Sequence, residues 1–340
     1  MNATPQHCYH TDQPWVTDSC ITLDRPLPLE CGGKLEQARV AYRLVGDPSM
    51  PIVLALGGIS ASRKTWCAAD EAGAGWWQDQ VGPDLALDTR HYCVLGIDYL
   101  GGNGDTESPR LWGDDGANFP RITTLDQAVI IVRLLQALGI STLESVVGAS
   151  YGGMVALHLA ALAPARLRHC LVICAAHEAS PQSSAWRHVQ RQILELGLQT
   201  GQEFTALKLA RSLAICGYRS EQEFATRFKT GALEGPESVT AYLDHCGTKF
   251  ASGFDIHSYL CLSESIDSHQ FSTDEAVVPV DILGFNSDQL VPVHQLIRLR
   301  KKLGTSGKLN LKPSLYGHDA FLKERQAVAG VISDHLEYIL

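Results

Sequence analysis

One pentapeptide constrains this chain more than any other feature. Residues 148–152 read Gly148-Ala149-Ser150-Tyr151-Gly152, a G-x-S-x-G pattern. The apolar, β-branched run Val146-Val147 stands before it, and the small-residue run Gly152-Gly153-Met154-Val155-Ala156-Leu157 follows. This is the context of a strand, a very tight turn and a helix, which lifts a central serine clear of a sheet edge. A side chain at Gly148 or Gly152 would collide with the neighbouring strand or helix. Ser150 is therefore a candidate nucleophile, and the helix N-terminus beneath it favours negative charge.

The rest of the chain repeats the alternation that such a turn needs. Apolar strand patterns occupy residues 51–56, 92–97, 144–149, 170–175, 280–285 and 309–315, and helical spacing marks 125–138 and 152–162. Residues 29–31 and 38–45 read as strands around a Gly32-Gly33-Lys34 turn. The expected fold class is α/β: a mostly parallel central sheet with helices on both faces. From about residue 178 the pattern changes. Amphipathic helices are predicted over 186–196, 204–213, 221–228 and 239–246, with no strand until 280. We expect an irregular N-terminal arm over 1–25, a core over 26–177 and 275–340, a helical lid over 178–274, and a long closing helix from about Asp319.

The 340 residues are 45% hydrophobic and 19% charged, with a formal net charge of -9. This composition suits a soluble globular chain with a large core. The single basic run, Arg298-Leu299-Arg300-Lys301-Lys302, suits a helix C-terminus, so nucleic acid and anionic membranes are poor partners for this chain. The ten cysteines are scattered without a C-x-x-C pair, and several fall in apolar strands. They read as buried thiols in a reducing compartment, and no segment reads as an export signal or membrane span. The expected location is the cytoplasm.

A serine hydroxyl needs a base, and the base needs an orienting acid. In this architecture they follow in the order serine, acid, histidine, each beyond a strand. Asp288 follows the strand 280–285, and His318 follows the strand 309–315. We expect Asp288 to orient His318, and His318 to serve as general base for Ser150. An oxyanion needs two backbone N–H donors. Tyr151 supplies one candidate and Leu56 or Gly57, after the strand 51–56, the other. No histidine or cysteine spacing suggests a metal, and no bound cofactor is expected.

With these residues placed, the chain resembles the homoserine O-acyltransferase family of the α/β-hydrolase superfamily, from about residue 27 onward. Leu29-Glu30-Cys31-Gly32-Gly33 with Val40-Ala41-Tyr42 is similar to the family's opening hairpin. Tyr242-Leu243-Asp244 and the stretch from Phe254 to Leu260 resemble lid segments, and Gly317-His318-Asp319-Ala320-Phe321-Leu322 resembles the C-terminal signature. The resemblance implies an α/β-hydrolase fold, a Ser150 acyl-enzyme formed from acyl-CoA in ping-pong order, L-homoserine as acceptor, a place in methionine biosynthesis, and a homodimer. It further implies Arg191 for the substrate carboxylate, Asp319 for the ammonium, and Tyr218 beside them. Gly57 stands where the family often has Thr, Tyr151 where it commonly has Met, and Trp186-Arg187-His188 replaces a more neutral segment. Those three residues bear on the acyl donor, with succinyl slightly favoured over acetyl. L-serine as acceptor and simple ester hydrolysis remain open alternatives.

Overall fold

The apolar runs assemble into one eight-stranded sheet. In the computed structural model, residues 13–228, 235, 237–272, 278–304 and 306–337 are described. Residues 1–12 of the expected arm, 229–234, 236, 273 and 274 of the expected lid, and 275–277 at the start of the expected second core segment lie outside the described residues. The strands are β1 (Val16–Thr22), β2 (Leu27–Pro28), β3 (Lys34–Leu35), β4 (Arg39–Val45), β5 (Ile52–Leu56), β6 (Cys93–Ile97), β7 (Leu143–Ala149), β8 (Leu167–Ile173), β9 (Val280–Phe285) and β10 (Leu309–Lys312). The sheet order is β1-β4-β6-β5-β7-β8-β9-β10, while β2 and β3 pair separately. The first two pairings are antiparallel and the other five parallel.

The helices are α1 (Pro109–Trp112), α2 (Thr124–Ala137), α3 (Tyr151–Leu162), α4 (Pro181–Thr200), α5 (Glu203–Tyr218), α6 (Glu221–Arg227), α7 (Val239–Ala251), α8 (Ile256–Asp267), α9 (Val293–Lys302), α10 (Ala320–Lys323) and α11 (Arg325–Glu337). Alternate residues of β5 serve two cores. Leu54 and Leu56 pack in the cluster with Ile131 and Leu134 of α2, Leu159 of α3 and Leu296 of α9. Val53 and Ala55 pack in the cluster with Val328 and Ile332 of α11. Covering both faces is why the central strands read as continuous apolar runs.

Three expectations need correction. Residues 16–22 are not irregular: they form edge strand β1, with Ile21 opposite Val40 and Cys20 opposite Ala41. The strand is held by pairing with β4, and its half-exposed residues left no apolar run to read. Residues 29–31 are turn rather than strand. Leu27 pairs with Leu35, and Gly32 and Gly33 both take positive φ, so the reversal needs more residues than two. The closing helix is interrupted at Glu324, whose ψ of 58° separates α10 from α11.

Helices α4–α8 lie between β8 and β9 and carry a small core of their own, including Leu194, Ala210, Ile256 and Tyr259. Ser180, Ser220, Ser238 and Asp255 cap the first turns of α4, α6, α7 and α8 through their side chains. Helix α8 was not anticipated as a helix, although Asp255 followed by an apolar pattern is a usable start signal.

Candidate active site

Strand β7 ends at Ala149 and α3 begins at Tyr151, which leaves Ser150 alone in the turn. Its φ of 55° and ψ of -120° are strained for a residue with a side chain. Hydrogen bonds over-determine the turn: Ser150 N donates to Ile173 O at 2.8 Å, and Gly152 N to Gly57 O at 2.9 Å. A Cβ at Gly148 would meet Gly152 O at 2.3 Å, and one at Gly152 would meet Leu56 O at 2.4 Å. Both obstacles are backbone, so neither can step aside. Gly152→Ala is expected to cost about 3 kcal/mol in denaturant unfolding. A change below about 1 kcal/mol would mean that the turn has room the structure does not show.

The loops after β9 and β10 converge on this serine. His318 Nε2 lies 2.7 Å from Ser150 Oγ, and His318 Nδ1 lies 2.8 Å from Asp288 Oδ2. The other carboxylate oxygen, Oδ1, accepts the N–H groups of Leu290 at 2.9 Å and Val291 at 3.0 Å. Asp288 is thus fixed by its own loop before it meets the imidazole. Gly317 positions the histidine: its φ is 61°, and a Cβ there would meet Tyr218 O at 2.5 Å. Both Asp288 and His318 are buried. Burial opposes charge on the His318 ring, but the Asp288 carboxylate, its hydrogen bond and nearby Asp319 hold the pKa above the ordinary histidine value. Beneath the pair, the Cys174 thiol is pushed well above its usual range by burial and by Asp288. It is therefore a poor nucleophile.

The serine opens into a cavity of about 350 Å³ between the sheet edge and helices α4, α5 and α8. Among the sequence-predicted residues, Ser150, Tyr151, Trp186, Arg187, Tyr218, His318 and Asp319 line it. Leu56 and Gly57 do not; the next residue, Gly58, forms the wall, and a Cβ there would sit 4.0 Å from Ser150 Oγ. Tyr151 N–H, at the first position of α3, has no intrahelical partner. His188 is exposed and off the cavity, because successive helical residues turn through about 100° and α4 presents 186, 187 and 190 inward.

Arg191 is not among the lining residues either. Its Nη1 is 2.6 Å from Asp267 Oδ2 and donates to Ser263 Oγ at 3.0 Å. Arg187, one turn earlier, donates through Nε to Asp267 Oδ1 at 2.7 Å and through Nη2 to Ser183 Oγ at 3.0 Å. The two arginines and one aspartate tie α4 to α8 and leave one excess positive charge at the cavity wall. The cation that sequence reasoning missed is Arg211 on α5. It lines the cavity, stacks over Tyr218 at 5.3 Å and Phe250 at 4.7 Å, and has no carboxylate partner among the described residues. Nothing in its helical spacing set it apart. Asp319, 3.2 Å from Arg219 Nη2, supplies the facing anion. Burial raises its pKa against the pull of Arg219, His318 and Arg211.

A second Ser–His–Asp chain lies in the core. His335 Nε2 is 2.8 Å from Ser145 Oγ, and His335 Nδ1 is 2.7 Å from Asp281 Oδ2. Ser145 is fully buried near the start of β7 and does not line the cavity at Ser150, so this set pins α11 to the sheet.

Comparison with known proteins adds an independent view. A family model of the alpha/beta hydrolase fold matches residues 51–325. The chain is 37% identical over 314 residues to a homoserine O-succinyltransferase of Xanthomonas campestris pv. campestris, covering 91% of this chain and 82% of that one. It is 34% identical over 363 residues to a homoserine O-acetyltransferase of Clavibacter michiganensis subsp. michiganensis, covering 95% and 93%. The crystal structure of a homoserine O-acetyltransferase from Staphylococcus aureus superposes with a TM-score of 0.82 at 26% identity, covering 94% of this chain and 95% of that one.

Proposed function

Because the chain belongs to the homoserine O-acyltransferase family of the α/β-hydrolase superfamily, we propose that it transfers an acyl group from acyl-CoA to the side-chain hydroxyl of L-homoserine. The observation that carries this reading is the hydrogen-bonded chain Asp288–His318–Ser150 opening into a cavity that holds both a cation and an anion. Ser150 Oγ attacks the thioester carbonyl while His318 Nε2 takes its proton. The oxyanion is met by N–H groups of Tyr151 and of the turn after β5. Collapse expels the CoA thiolate, which takes the proton from His318, and the ester remains on Ser150. The acceptor hydroxyl then gives its proton to His318 and attacks that ester; the Ser150 Oγ–acyl bond breaks, and Ser150 takes the proton back from His318 as the O-acyl product leaves.

A zwitterionic amino acid needs a cation for its carboxylate and an anion for its ammonium. Arg211 and Asp319 suit these roles, with Tyr218 packed against both Arg211 and the His318 ring. Arg191, already engaged by Asp267, supports α4 instead. The lid excludes water, so the acyl-enzyme waits for the alcohol.

The excess positive charge of the Arg187–Asp267–Arg191 cluster suits a second carboxylate, which succinyl-CoA carries and acetyl-CoA lacks. We therefore favour succinyl. Arg187→Ala leaves Asp267 neutralised by Arg191, so the lid contact persists. We expect kcat/KM for succinyl-CoA to fall about 10–100-fold while that for acetyl-CoA changes little. An equal loss for both donors would remove Arg187 from donor selection. L-serine differs from L-homoserine by one methylene, worth about 1–3 kcal/mol of discrimination, so acceptor choice is tested directly. Mass spectrometry of products from mixed acetyl-CoA, succinyl-CoA, L-serine and L-homoserine identifies both substrates. Ping-pong initial rates support the acyl-enzyme, and sequential rates overturn it. Rapid CoA release without any amino acid would favour a hydrolase.

We place the reaction in methionine biosynthesis in the cytoplasm, in keeping with the nine free cysteines among the described residues. We also infer a homodimer packed through the lid, where Leu196, Phe204 and Leu209 are at least half exposed in the single chain.

A further inference from the structure

Gly57 is a glycine for want of space, not for backbone freedom. Its φ lies outside the left-handed region, so any residue could adopt its conformation. A Cβ there, however, would meet Ala61 Cβ at 2.5 Å and the Cη2 and Cζ2 atoms of Trp76 at 3.0 Å. The outer edge of the Trp76 indole therefore rests on the backbone immediately before Gly58, the residue that faces Ser150.

The indole is held from several sides. Its Nε1 donates to Ser62 O at 3.0 Å, and its backbone N donates to Lys64 O at 3.0 Å. It stacks on the buried Trp77 with centroids 4.8 Å apart and planes 17° apart. The preceding Gly75 is pressed against Thr65 and Trp66, where a Cβ would come within 2.3 Å of backbone. A bulky ring so anchored cannot rotate away from an incoming group. It forms one cavity wall with Gly58 and Ala61, and Phe321 also lines the cavity, its ring centroid 6.0 Å from that of His318.

We propose that Trp76, seated on Gly57, sets the length of the acyl group that Ser150 can accept. The inference rests on the acyl-enzyme reading given above. When Ser150 Oγ bonds to the acyl carbon and the leaving thiolate or phenolate departs, the proton from Oγ passes through His318 to the leaving group. The acyl tail must then lie in the space that the indole limits. A wall of this kind discriminates by chain length, one methylene being worth about tenfold or more.

The test uses the intact protein with p-nitrophenyl esters of two, four and six acyl carbons, read as p-nitrophenol released on acylation of Ser150 so that no acceptor is required, and separately with acetyl- and hexanoyl-CoA plus L-homoserine. Trp76→Ala should raise the kcat/KM ratio of the six-carbon over the two-carbon ester by about tenfold or more, with KM for homoserine unchanged. Trp76→Phe, which keeps a smaller ring at the same position, should raise that ratio by a smaller factor. If Trp76→Ala does not fold, Trp76→Phe gives the contrast in the same direction, and an unchanged ratio in folded Trp76→Phe then overturns the proposal. A folded Trp76→Ala with an unchanged ratio overturns the proposal. The ester arm needs neither CoA nor homoserine. A shifted ester preference without transfer to homoserine would sink the transferase reading and leave the role of Trp76 intact.

Discussion

Ser150→Ala is expected to lower kcat for acyl transfer by about 10⁴–10⁶-fold. Ser150 Oγ is the hydroxyl that His318 Nε2 reaches, at 2.7 Å, and it opens onto the cavity. The variant should fold as well as the parent, because the side chain makes no capping hydrogen bond to α3. Labelling by a fluorophosphonate should vanish with it. Ser145 is the informative control. It has the same kind of partners in His335 and Asp281, at similar distances, but it is sealed in the core. Ser145→Ala should leave labelling and transfer intact and should lower stability instead, by leaving His335 short of a partner. Peptide mapping of the probe adduct decides between the two serines. An adduct on Ser145, or full activity in Ser150→Ala, would end the proposed mechanism.

Asp288→Asn is expected to reduce kcat by about 10³–10⁴-fold with little change in KM. A carboxylate only accepts hydrogen bonds, so it obliges His318 to carry its proton on Nδ1 and leaves Nε2 free to take the serine proton. An asparagine can present its NH₂ group instead and favour the wrong tautomer. The same substitution moves the pH profile. In the parent, Asp288 raises the His318 pKa above the ordinary value against the effect of burial. The neutral ring is the base, so activity falls as pH drops through that raised pKa. Without the carboxylate charge, burial dominates and the acid limb shifts to lower pH, although the plateau is far lower. Rates between pH 5 and 9 on both proteins check the sign. An acid limb that stays in place would show that some other group titrates there.

Much of the fold was legible because local rules and the global arrangement agree. Strands buried on both faces read as unbroken apolar runs, and β5 to β9 were found that way. Strand β1 was not, because an edge strand with one partner is only half buried and owes its conformation to β4. Helix α8 and the break at Glu324 were missed at the level of caps and single dihedrals. At the site, the order serine, aspartate, histidine was readable because each follows a strand of one sheet.

What the sequence alone determined is the set of steps that depend on neighbours along the chain: the glycines that admit the turn at Ser150, the strand ends that carry Asp288 and His318, and the helical character of the lid. What only the tertiary structure decided is which charged side chains face the cavity. Arg187, Arg191 and Arg211 look alike as residues on amphipathic helices. Asp267, on a helix far along the chain, engages both Arg187 and Arg191, while Arg211 has no carboxylate partner among the described residues and stacks on Tyr218 and Phe250. Likewise, Ser145 and Ser150 stand five residues apart with matching partners, and only packing buries one and opens the other to the cavity. The physical reason is that a charge or a hydroxyl acts through what surrounds it, and those surroundings come from segments that folding, not spacing, brings together.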